Sequence, residues 1–116
     1  MSMINPELKR TIQSLKAASR DGGAIWAALA DELDRPKRRR NAVNLSRINR
    51  HTGAGDVVAV PGKVLASGSL THPVTVAAFS FSEGARQKIA LAEGRAIPLT
   101  DLLEEGFEPS QIKILK

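Results

Sequence analysis

Between Arg35 and Arg50 the chain carries seven basic side chains (Arg35, Lys37, Arg38, Arg39, Arg40, Arg47 and Arg50) and no acid. A guanidinium is a planar fork that matches two phosphate oxygens at once, and a cluster of like charges repels itself unless a polyanion neutralises it. The rest of the chain holds ten of the 17 Lys and Arg against all 12 acids, so it nets −2 and the overall +5 is entirely local. Such a distribution marks a polyanion site rather than a uniformly basic surface. The plain alternative is a solvated loop that only aids solubility, a role that four consecutive basic residues suit poorly. With about 5 to 7 phosphates neutralised, log affinity should fall against log salt with a slope on the order of −4 to −6. Three Phe, one Trp and no Tyr leave little for base stacking, which favours recognition of nucleic acid by phosphate and shape.

Other residues with chemical potential point less clearly. Val60-Pro61-Gly62-Lys63 reads equally well as a backbone turn bringing Lys63 to a phosphate and as an ordinary hairpin turn with an exposed lysine. It is not a P-loop, because Gly55 and Gly62 have the wrong separation and Val64 stands where a metal-holding Ser or Thr belongs. His51 and His72 are the only imidazoles, and neither has a carboxylate or second histidine at ligand spacing, which argues against a metal site. With no Cys there is no thiol nucleophile and no disulfide, and no Gly-x-Ser-x-Gly elbow occurs. Asp31, Glu32 and Asp34, and again Glu104 and Glu105, read as solvated helix faces. No enzymatic activity, cofactor or small-molecule substrate is expected. A small enzyme using two carboxylates stays as the rival from another class.

The elements that position the basic residues follow from periodicity. Asn5-Pro6-Glu7 is a strong helix start, with Ile4, Leu8, Ile12 and Leu15 at helical spacing and Asp21-Gly22-Gly23 as the break. A second helix is expected over 24–33, with Ile25, Leu29 and Leu33 on one stripe, Trp26 beside it and Pro36 as its stop. The run 37–40 reads as a loop or the exposed lead-in to a helix. A third helix over 44–50 would turn Leu45 and Ile48 one way and Arg47 and Arg50 the other. Beyond Gly55 the period shortens. Strands are expected over 56–60 and 63–66, joined by a Pro61-Gly62 turn with positive φ at the glycine, and over 74–79. Ser82 opens a helix closed by Gly94, 95–97 is a short strand, Thr100 caps a short helix stopped by Gly106, and 111–115 is a last strand. The 116 residues make one domain, a helical, basic half over 1–53 and a mixed β/α half over 54–116. The N-terminus lacks a signal-peptide pattern and no stretch approaches the ~20 apolar residues of a membrane span, so a cytoplasmic protein is expected.

The order Ile25-Trp26, Ala30, Leu33, Arg35-Pro36-Lys37-Arg38 and Val43-Asn44-Leu45-Ser46-Arg47-Ile48, then Val58-Ala59-Val60-Pro61-Gly62-Lys63-Val64-Leu65, Val74-Thr75-Val76-Ala77-Ala78 and Phe81-Ser82, carries a family likeness. It resembles the archaeal and eukaryotic large-subunit ribosomal protein eighteen, a relative of bacterial large-subunit protein fifteen, and the compact length suits the archaeal form. The likeness covers nearly the whole chain, and its Val-Asn-Leu and Val-Pro-Gly-Lys blocks are specific together. It departs at 106–113, where archaeal members usually have an Asn-Pro-x-Gly turn and an arginine-bearing last strand. The resemblance implies an α/β fold in which N-terminal helices precede an irregular β-β-α superhelix in a single domain. It also implies a non-enzymatic protein that binds large-subunit ribosomal RNA beside neighbouring ribosomal proteins. On that reading Arg35, Lys37, Arg38, Arg39, Arg40, Arg47 and Arg50 clamp phosphates, Asn44 positions the segment or touches a sugar, and Lys63 adds a secondary contact. A free-standing RNA-binding or regulatory module is the nearer rival.

Overall fold

The computed structural model describes residues 6–20, 22–34 and 41–116. Helix α1 spans Pro6–Arg20 and α2 spans Ala24–Leu33. Then come β1 (Asn41–Asn44), α3 (Leu45–His51), β2 (Val57–Leu65) and β3 (Thr75–Phe81). The chain ends with α4 (Glu83–Leu91), β4 (Arg95–Pro98), α5 (Leu99–Glu104), a 3-10 turn at Pro109–Gln111, and β5 (Ile112–Ile114). The five strands form one wholly parallel sheet of order β1-β2-β3-β4. Strand β2 is its spine. With β3 along one edge, the other edge is shared by β5 beside Val57–Ala59 and β1 beside Gly62–Leu65.

Strand alternation divides the apolar residues between the two faces. Val57, Ala59, Ala77, Ile97 and Ile112 pack with Leu8, Leu15, Trp26, Leu29, Leu33, Leu99 and Leu102 of α1, α2 and α5. Val58, Val60, Val64, Val76 and Ala78 pack with Leu45 and Ile48 of α3 and with Ala85 and Ile89 of α4. The result is a three-layer domain of the α/β class that the family resemblance implies. With only four aromatic residues, both cores rest on aliphatic side chains, each fully buried Leu or Ile contributing roughly 1.5–3 kcal/mol of transfer free energy.

Several local expectations change. Pro61-Gly62 is not a hairpin turn: both residues are buried within β2, and Gly62 is not among the glycines of positive φ. Against β3 the register runs Val60↔Ala78 and then Lys63↔Ser80, so β2 carries one extra residue there. A bulge is where a strand interior tolerates a proline, which has no N–H for the ladder. No strand was expected over 41–44, because four residues ending in Asn carry too little periodicity. Its pairing with β2 supplies what local pattern lacks.

Ser82 caps α4, its Oγ accepting the Ala85 N–H at 3.1 Å. Gly94 is not the residue that turns out of α4. Glu93 takes the left-handed conformation (φ 63°), and the Glu93 and Gly94 N–H groups donate to the Ala90 and Ile89 carbonyls. Position 94 needs a glycine for another reason: a Cβ there would stand 2.4 Å from the Val74 carbonyl oxygen. Thr100 does not cap α5, which starts at Leu99 with Pro98 in the cap position and no side-chain cap. Thr11 is buried, its hydroxyl donating to the Glu7 carbonyl at 2.9 Å, and Glu32, read from the sequence as part of a solvated face, is buried as well. The expectations at Ile4, Asn5, Asp21 and Pro36 lie outside the described residues.

Candidate nucleic-acid interface

The basic residues Arg35, Lys37, Arg38, Arg39 and Arg40 lie outside the described residues. The structure shows what they lead into. Asn41, the first residue of β1, pairs with Gly62 of β2, and Ala42 pairs with Lys63. The chain leaving the basic run therefore enters the sheet beside Lys63. Lys63 is exposed, on the opposite side of β2 from the buried Val64.

Asn44 ends β1 in an extended conformation (φ −83°, ψ 154°) and occupies the cap position of α3 without a side-chain capping bond. Its half-buried amide thus stands at the strand–helix junction. In α3, Leu45 and Ile48 are buried against the sheet, so Arg47 and Arg50, three apart, share the outward face. Arg47 is half-exposed and Arg50 exposed.

The charges around them are used differently. Several cations elsewhere are held by local acids. Arg95 makes a two-pronged pair with Glu105, both N···O distances 2.9 Å. Lys113 Nζ lies 2.9 Å from Asp56 Oδ2, and Lys116 Nζ 3.2 Å from Glu32 Oε2. Among the described residues Arg47, Arg50 and Lys63 have no such carboxylate partner. The acid nearest in sequence to α3 is Asp56, whose carboxylate accepts the Gly53 N–H at 2.8 Å as well as Lys113. The Gly53 bond, then the Lys113 ammonium, hold its pKa below the ordinary aspartate value. Lys113, the one cation of β5, is thereby engaged inside the molecule.

The loop joining β2 to β3 clamps α3 in place. Asn49 Oδ1 accepts from both the backbone N–H and the hydroxyl of Thr71, each at 3.0 Å. The Ser46 N–H donates to the Ser67 carbonyl, and Lys88 Nζ reaches the carbonyls of Ala66 and Gly68 at 2.8 Å each. Thr52 donates to the Ile48 carbonyl, which leaves its oxygen to accept from His72 Nε2 at 2.8 Å. His72 is therefore part of this clamp, and His51 is exposed at the helix end. Among the described residues no three His, Asp or Glu side chains converge as metal ligands, and no helix is long and apolar enough to cross a membrane.

Sequence reasoning found the arginine face of α3 and missed its support. Asn49, Thr71 and Lys88 are ordinary polar residues at no diagnostic spacing, brought together only by the fold. It also passed over a cleft of about 230 Å³ between α1 and the ends of β3 and β4.

Residues 23–97 match the family model described as ribosomal proteins 50S-L15, 50S-L18e and 60S-L27A. Among similar proteins, one of Methanothermobacter thermautotrophicus named large ribosomal subunit protein eL18 is 48% identical, covering all of this chain and 97% of its own length. Proteins of the same name from Haloarcula marismortui and Halobacterium salinarum are 43% and 41% identical, with both chains covered in full.

Proposed function

The chain belongs to the family of ribosomal proteins 50S-L15, 50S-L18e and 60S-L27A, and we propose that it is a structural, non-catalytic constituent of the large ribosomal subunit that binds ribosomal RNA in the cytoplasm. The observation that carries this reading is the likeness, over the full length of both chains, to proteins named for that subunit. The unneutralised arginine face of α3 supports it, since cations without internal partners are available to phosphates.

In this reading Arg35, Lys37, Arg38, Arg39 and Arg40 meet the RNA backbone where the chain approaches β1. Arg47 and Arg50 extend the contact along α3, Asn44 sits at the junction, and Lys63 adds a contact from β2. Phosphate contacts fix register and orientation without reading sequence, which suits a protein that holds one particle together. Neighbouring ribosomal proteins are its other partners.

Sedimentation through a high-salt wash tests the assignment. Retention on large subunits is expected, and complete release at modest salt, or capture on a small RNA away from ribosomes, would refute it in favour of a free-standing RNA-binding module. Reversing the charge of Arg38, Arg39 and Arg40 together should leave the isolated fold intact and weaken RNA binding. Unchanged binding would remove that segment from the site.

A further inference from the structure

We propose that the cleft between α1 and the carboxyl ends of β3 and β4 receives a single extruded nucleotide of the RNA. Its location follows from topology. After β3 the chain passes to α4 on one face of the sheet, whereas after the adjacent β4 it passes to α5 on the other face. Two neighbouring strands whose continuations diverge in this way leave a crevice at their carboxyl ends, the habitual ligand position in open parallel sheets. The cleft of about 230 Å³ lies at that divergence, large enough for a nucleobase.

The lining matches a nucleotide. Phe79, half-buried, and Pro98 offer apolar surface for a base, while Ser14 and Thr100 add hydroxyls. Arg10 is exposed at the rim and, among the described residues, has no carboxylate partner. Glu7 also lines the cleft, and its negative charge disfavours a bare phosphate. In register, β1 begins close to the level of the cleft, since Asn41 pairs with Gly62, the residue before Lys63. Lys63 pairs with Ser80, the residue after Phe79, so strands about 5 Å apart carry one contact each. Extruded, unstacked bases are the usual targets of proteins that read RNA.

This inference rests on the RNA-binding reading, and the experiment separates the two. A photoreactive benzophenone side chain placed at the exposed Ser14 of the chain in assembled large subunits should crosslink to RNA at one nucleotide position. Crosslinking to protein alone would overturn the inference. In parallel, affinity for large-subunit ribosomal RNA is measured across a salt series. Arg10→Ala should weaken binding about tenfold and reduce the salt slope by about 0.7 to 0.9. Ser14→Trp, which fills the cleft without changing charge, should weaken binding about tenfold with the slope unchanged. Both sites are exposed, and unaltered thermal unfolding by far-ultraviolet dichroism confirms that the variants fold. If both variants bind like the parent while Arg47→Ala with Arg50→Ala binds poorly, the cleft inference fails and the RNA-binding reading stands. If the parent chain does not bind large-subunit RNA, both fail.

Discussion

Asp56 shows how the chain neutralises a carboxylate within the molecule. Its carboxylate is stabilised by the Gly53 N–H and then by Lys113, and Glu105 is likewise held low by Arg95. A carboxyl whose pKa is depressed in the folded state adds stability above its unfolded pKa, and that stability is lost as the pH falls through the folded value. Denaturant midpoints taken across pH should therefore be lower for Asp56→Asn than for the parent at neutrality, and the gap should close below about pH 4. The turn after α4 makes a second residue-scale prediction. Gly94→Ala drives a methyl into the Val74 carbonyl and should destabilise by roughly 1–3 kcal/mol in chemical unfolding. Glu93→Gly relieves a left-handed side chain and should stabilise by about 1 kcal/mol. A glycine whose role is read as conformational freedom proves to be one of close approach, and no local pattern distinguishes the two.

At the scale of elements, α3 is a seven-residue helix that would not persist alone and is oriented by what clamps it. Its arginines are legible in sequence because Leu45 and Ile48 set the inward direction and the remaining faces follow from 3.6-residue geometry. The clamp itself is invisible there, since Asn49 and Thr71 meet across 22 residues of chain. Asn49→Ala should remove the two bonds to Thr71, cost about 1–2 kcal/mol, and accelerate amide exchange in the 66–74 loop. If α3 is the RNA-contacting element proposed above, this variant should also lower RNA affinity without altering the salt slope. Arg47→Ala should instead reduce the slope by about 0.7 to 0.9, because it deletes a phosphate contact. Gly68 belongs to the same contact: a Cβ there would stand 2.4 Å from the Ser46 Cβ, so the loop and the start of α3 meet nearly backbone to backbone.

For the whole molecule, the decisive feature is one parallel sheet shared by two cores. Neither face can be stripped without exposing residues that alternate with those of the other, so the layers should unfold as one unit. Ile89→Ala, on the α3–α4 face, should cost about 2–5 kcal/mol. It should also shift the Trp26 fluorescence transition, which reports the opposite face, by as much as the far-ultraviolet dichroism transition. Separate transitions would show the faces to be independent.

The sequence by itself determined which segments are helices, where the period shortens to that of a strand, and that all the excess positive charge lies between Arg35 and Arg50. Each of these is a local property, set by side-chain spacing, backbone sterics at proline and glycine, or a count of charges. Specific block order also carried the family likeness that the comparisons bear out. Only the tertiary structure decided that Pro61-Gly62 lies inside a bulged strand, that β1 exists, and that β5 and β1 share one edge of β2. It alone brought Arg10 to the ends of β3 and β4 and left Arg47 and Arg50 without acidic partners while Lys113 found Asp56. These are outcomes of long-range pairing in a parallel sheet. There, each strand's neighbour is set by packing and crossover geometry rather than by the residues next to it in the chain.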